Sequence, residues 1–349
     1  NRLTRLNDKL ERGLELLLRQ VQNSHFDRAL VKSLVSLLTD DGIVQSDALE
    51  RLWIARCHND AEQQQESERR EELRLRILAS YHGDDRSGFE QSVNEGLLLL
   101  DDGQLARGIR YLRRASEMAA DNAPLLSFVG EHFFKTGKTH RARRYLSLAH
   151  EISPADRRIS LLLGLTCADE GDTEQAKALL SSATGLGGSS FAAHYGLGRL
   201  FIAEENWRKA LQEFKLALAS KASPEAHYAL GCLYYQLSRD SLAARHLRKA
   251  LEMDQSYGEA SYVMGLISQR AGEDALAEEY FKKAGAVVHE KTLVKSKRPN
   301  HRPAPVAPLF RPPSGGSRRL VTGGDRRLAE ALRQDALSAG SAADVEGHR

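Results

Sequence analysis

The chain has 349 residues, 41% apolar and 28% charged, a globular composition with room for about two or three domains. No stretch approaches the roughly 18 consecutive apolar residues of a membrane span, so a soluble protein is expected. The net charge of +3 is unevenly placed: residues 1–88 sum to −2, 89–291 to −1 and 292–349 to +6. Cys57, Cys167 and Cys232 are an odd count without CxxC spacing, which argues against a disulfide framework or a zinc site. A reducing, cytoplasmic home is the expectation. The first residue is Asn1 rather than Met, which leaves room for a processed or targeting segment before it.

At the N-terminus, Leu3, Leu6, Leu10, Leu14, Leu17 and Val21 form a stripe of one amphipathic helix. Fewer than four heptads are present, so the stripe is expected to lie on its own domain rather than to form a coiled coil. A second helix is predicted from Arg28 to Leu38. A third is capped by Ser46 and ends near Arg56, and a charged connector helix runs from Asp60 to Arg76.

From Phe89 to Lys291 the chain repeats. Gly96, Gly130, Gly164, Gly198, Gly231 and Gly265 are spaced by 34, 34, 34, 33 and 34 residues. Twelve positions after each stands Gly108, Ala142, Ala176, Ala210, Ala243 or Ala277, and seven further on an alanine, from Ala115 to Ala284. Each unit holds two stretches of helical apolar spacing around a turn such as Lys135-Thr136-Gly137-Lys138. Two antiparallel helices pack closely only where one lacks bulk, so the small residues mark the crossings. Such a hairpin cannot bury its apolar face alone, and stacking supplies the neighbour. Pro124, Pro154 and Pro224 all fall at unit boundaries, where a helix tolerates them.

This ladder resembles the tetratricopeptide repeat. Six units are predicted: 89–122, 123–156, 157–190, 191–223, 224–257 and 258–291. The family's aromatic positions match at Tyr195, Tyr228, Tyr262, Phe214 and Phe281, and its turn glycine at Gly103, Gly137, Gly171 and Gly272. Departures are Glu205 and Ser238 at that turn, Gly188 where a boundary proline is common, and Gly108 in place of alanine. They point to a degenerate first unit and a loose joint at residues 185–190. The resemblance implies an all-α, right-handed solenoid whose first helices line a concave groove for an extended or helical peptide. Carried over by position, the groove offers Glu131, Phe134, Lys135, Arg158, Tyr195, Arg199, Tyr228, Tyr235, Tyr262 and Arg270, with Tyr and Arg concentrated in units four to six. The tyrosines could equally pack between adjacent units. The Lys and Asn set by which some relatives clamp a terminal carboxylate is missing, since Val93, Leu97 and Phe128 stand there.

After Lys291 the character changes. Residues 292–320 carry seven basic residues, six prolines and no acid, which predicts a disordered basic tail. A short amphipathic helix is predicted at 325–337, with Leu328, Leu332 and Leu337 able to dock on a partner or on the last repeat.

No catalytic signature accompanies the repeats. Gly137-Lys138-Thr139 lacks the preceding glycine of a phosphate loop, and no HExxH, Cys/His cluster or Gly-x-Ser-x-Gly turn occurs. His194 and His227, equivalent sites on successive first helices, read as packing residues. The expected function is a non-catalytic adaptor, without cofactor or metal, that binds a protein or peptide in its groove, with the basic tail as a second electrostatic contact. Two alternatives are nucleic-acid binding through the tail, and a regulatory part of a larger polypeptide.

Overall fold

A computed structural model describes residues 46–185, 190–285, 308–310, 319–322 and 326–338. The predicted helices at 3–21 and 28–38 lie outside them. Contacts divide the chain into two compact units, Asn1–Glu72 and Leu73–Arg349. The described part of the first unit belongs to one helix, α1 (Ser46–Ala79). Sequence spacing predicts a break between Arg56 and Asp60, and the structure has none. No glycine or proline occurs between Ser46 and Ala79, so nothing interrupts the backbone ladder. Surface pairs one turn apart, such as Arg70 to Glu66 at 3.3 Å, support its exposed stretch.

Within the second unit, helices alternate in six antiparallel pairs. They are α2 (Arg86–Asp101) with α3 (Leu105–Met118), α4 (Ala123–Lys135) with α5 (Thr139–Ile152), and α6 (Arg157–Glu170) with α7 (Thr173–Gly185). Then follow α8 (Phe191–Ala203) with α9 (Trp207–Ser220), α10 (Pro224–Gln236) with α11 (Asp240–Met253), and α12 (Gly258–Ala271) with α13 (Asp274–Ala284). Five of the six first helices open on side-chain caps, α12 on Tyr257 being the exception. Asp85, Asn122, Asp156, Ser190 and Ser223 each accept a hydrogen bond from a first-turn N–H. The predicted loose joint falls mostly outside the described residues, but its last member, Ser190, caps α8.

The glycine ladder is the seam inside each pair. A Cβ on Gly130 would stand 2.8 Å from Leu146, and one on Gly198 2.8 Å from Phe214, each partner lying on the second helix of the same hairpin. Ala142, Ala149, Ala176, Ala210, Ala217, Ala243 and Ala250 are buried beside it. Gly108, expected to mark a degenerate unit, marks a crossing where backbone meets backbone: a Cβ there would meet the Gly96 carbonyl oxygen at 2.7 Å. Its hairpin is sealed on the N-terminal side by Leu73 and Ile77 of α1 and by Tyr81 stacked on Phe89, and the Asn122 side chain donates to the Ile77 carbonyl at 2.8 Å.

All six turns take the left-handed conformation. Gly103, Gly137, Gly171 and Gly272 have φ of 67–88°, and Glu205 and Ser238 follow at 58° and 56° without being glycine. The two departures therefore change the cost of the turn and not its shape. Along the stack, α4 touches α6, α6 touches α8, and α10 touches α12, so first helices of successive repeats lie side by side as the wall of an all-α solenoid.

Candidate ligand groove

The wall is not bare. The predicted tail helix is present as α14 (Arg326–Ser338), and it lies against α4, α6, α8 and α10, most extensively on α8. Its register explains the contact: Leu328, Leu332 and Ala336 recur every four residues, with Ala329 beside them, and all four are buried. Sequence spacing offered the last repeat as a resting place, but helical hydrophobicity says which face docks and not where. Two further tail stretches are in place. A 3₁₀ turn at Pro308–Phe310 buries Leu309, and residues 319–322 bury Val321. Full burial of a Leu or Val side chain contributes about 1.5–3 kcal/mol, opposed by the ordering of the segment.

Five polar anchors set the register of the tail. Asp169, in the last turn of α6, accepts the Val321 N–H at 2.8 Å and the Thr322 N–H at 3.0 Å on Oδ1, and the Thr322 hydroxyl at 2.5 Å on Oδ2. Burial pushes its carboxyl up from the usual range, while these bonds and nearby Arg319 pull the other way. Arg199 of α8, buried, donates through Nε to the Leu320 carbonyl at 3.1 Å and through Nη1 to the Leu309 carbonyl. Its guanidinium stands 5.4 Å from the Phe310 ring centre.

The other three anchors reverse the direction, with tail side chains reaching into the repeats. Arg319 donates to the Gly137 carbonyl at 2.6 Å. Arg327 donates to Glu225 at 3.0 Å and to Asp254, and sits 4.5 Å from the Tyr257 ring centre. Ser256 first, and then Arg327, hold the Asp254 carboxyl down at about 2. Asp335 accepts the Ser190 hydroxyl at 2.8 Å and the Ala192 N–H at 2.9 Å, against the positive end of α8. A carboxylate and a guanidinium in the wall thus read the backbone of a bend and a 3₁₀ turn, and an apolar strip between acidic and helix-terminal sites receives a helix.

Comparison with known proteins bears on this arrangement. The family model described as "Tetratricopeptide repeat" matches residues 168–231, and a second of the same description matches 228–286. Residues 168–286 are tetratricopeptide repeats. Among solved structures it resembles MamA, at 25% identity over 44% of this chain and 91% of that one, with a TM-score of 0.41. It also resembles YrrB, described as a tetratricopeptide-repeat protein with an unusual peptide-binding site, at 18% identity, 50% and 90% coverage and a TM-score of 0.41. PilF of Pseudomonas aeruginosa follows at 15% identity, 55% and 88% coverage and a TM-score of 0.47. No curated protein matches the chain in sequence.

The repeat register places the expected groove residues unevenly. Arg199 meets the tail directly. Glu131 bridges the wall, accepting Arg158 at 2.6 Å and Lys135 at 2.9 Å, and Phe134 is buried beside it. The tyrosines face ring partners: Tyr195 lies on Phe191 and Phe214, Tyr262 on Phe281, and Tyr228 on Tyr257, the ring that carries Arg327. Tyr235 lies under Arg270, 4.1 Å away, and Arg270 pairs with Asp240 at 2.7 Å. The tail thus sits on the second to fifth repeats, whereas Tyr and Arg content pointed to the fourth to sixth, because most of those rings turn into the stack.

Sequence spacing missed Asp169, Glu225, Asp254 and Ser190. Asp169 carried one signal: an acidic residue in the last turn of a helix opposes the helix dipole and needs donors from elsewhere.

Proposed function

We propose that this protein is a non-catalytic adaptor that holds a segment of another protein along the wall of α4, α6, α8 and α10. The observation that carries the reading is the buried Asp169 carboxylate, whose lone pairs are taken up by consecutive backbone N–H groups and a hydroxyl. A carboxylate so placed serves peptide recognition, because it satisfies the backbone N–H groups of a bent segment whatever its side chains. Arg199, Glu131, Arg158 and Lys135 extend the polar lining. Phe134 and the Tyr195, Tyr228, Tyr235, Tyr262 and Arg270 cluster support the shape of the wall from behind. Nucleic-acid binding draws less support from the described tail, since Arg319 and Arg327 are turned onto protein carbonyl and carboxylate groups. A second, electrostatic contact by the tail would fall to basic residues before Pro308.

Affinity capture with the full chain tests the reading. Proteins bound through the groove are expected to be competed off by an excess of a synthetic peptide of residues 306–340 and to be lost from an Asp169→Arg variant. Binders that survive both would show that the chain recruits its partners through another face.

A further inference from the structure

The seated tail says more than that the groove takes peptides. Its contacts are complementary in sign at every charged point: the Arg319 guanidinium on a carbonyl, Arg327 between Glu225 and Asp254, and Asp335 on the N-terminus of α8. They also run in a fixed order along the segment. A bent stretch carrying the Thr322 hydroxyl comes first, then a basic first helical turn, then an apolar strip, then an acidic end. The hairpin seams do not involve it, since each glycine crossing except the turn at Gly137 is closed by the hairpin's own second helix or a neighbouring repeat. The glycine crossings are therefore closed without the tail, and Leu309, Val321, Leu328, Leu332 and Ala336 of the tail pack onto the wall from outside the hairpins, as a ligand would.

We infer that the tail segments 308–310, 319–322 and 326–338 are a built-in competitor for this groove, and that the external partner is a protein segment of the same ordered chemistry which binds by displacing them. The inference rests on the adaptor reading and adds the partner's chemistry and its control. A tethered segment faces its site at an effective concentration on the order of 1 mM. If the same segment binds in trans with a Kd of about 10 μM, the groove is some 99% occupied and an outside competitor is weakened about 100-fold. A partner then succeeds only by matching the tail's anchors or by acting at high local concentration.

The test uses the full chain with its hairpins unaltered. In a Thr322→Asp/Arg327→Glu variant, carboxylates are set against Asp169 and against Glu225 and Asp254, so the tail leaves while the wall keeps every residue. A labelled wild-type peptide of residues 306–340 is titrated against this variant and against the unmodified chain by fluorescence anisotropy. The peptide is expected to bind the variant at least tenfold more tightly, and adding Asp169→Arg to the variant is expected to abolish that gain. Equal affinity for both chains, lost on Asp169→Arg, would overturn the competitor and leave the groove reading standing. Affinity that ignores Asp169→Arg, or no binding to either chain, would overturn both. An apparent affinity of the unmodified chain that falls as its own concentration rises would assign the tail to the groove of a second copy and overturn control in cis.

Discussion

Glu205 and Ser238 sit in a backbone region where an L-residue costs roughly 1–2 kcal/mol, at turns that four sister repeats fill with glycine. Glu205→Gly and Ser238→Gly are each expected to stabilise the fold by about 0.5–1 kcal/mol, the gain being cut by glycine's larger unfolded-state entropy. Urea unfolding at neutral pH reads the difference, and a loss of stability would mean the turns do not need that conformation. Gly108 is the opposite case. Five repeats hold alanine at its register, yet Gly108→Ala would drive a Cβ toward the Gly96 carbonyl, which as backbone cannot swing aside. A net loss of about 1–2 kcal/mol is expected by the same measurement, and a neutral result would show that α2 and α3 can separate cheaply. The small-residue ladder was legible in the sequence because a helix crossing tolerates only small residues. Which of two small residues marks the tighter crossing was not, because it depends on a distance between backbones.

At the scale of the element, the fourth and fifth hairpins are each tied by a contact between positions nineteen residues apart. His194 meets Glu213 at 2.8 Å, and His227 meets His246 at 3.1 Å in the next repeat, with Tyr234 stacked on His246. These histidines pack within their own hairpins, a role the sequence register already suggested without naming the partner. Burial first, then His227, Arg245 and Lys215, push His246 down to about 4, and burial and Lys249 also lower His227, against a smaller pull from Glu252. A histidine that titrates lower in the fold than when unfolded stabilises it fully above its unfolded value of 6.5, and that stability is lost as pH falls toward 4. Thermal unfolding is therefore expected to shift to lower temperature between pH 7 and pH 5. His246→Phe, which keeps a ring on Tyr234, is expected to flatten that dependence, whereas an unchanged slope would assign it to other groups. Helix ends were legible from caps and boundary prolines. The continuity of α1 was missed because charge patterning was read as a change of element, although only glycine or proline would have forced one.

For the second unit as a whole, the solenoid followed from the period, since repeated hairpins must share seams. The occupancy of its wall did not follow, because it is set by single side chains such as Asp169, Arg199 and Arg327 that break no periodic rule. Composition made the tail look unable to fold alone. The segments described in it instead fold against a surface supplied by distant repeats, which no local window contains. The groove and its built-in occupant make one claim, that Asp169 holds the backbone at Val321 and Thr322. Amide hydrogen exchange followed residue by residue in the full chain tests it most directly. Slowed exchange at the Val321 and Thr322 amides and through α14, released together by Asp169→Ala, is the expected result. Exchange at those amides as fast as in the isolated peptide of residues 306–340 would contradict the account.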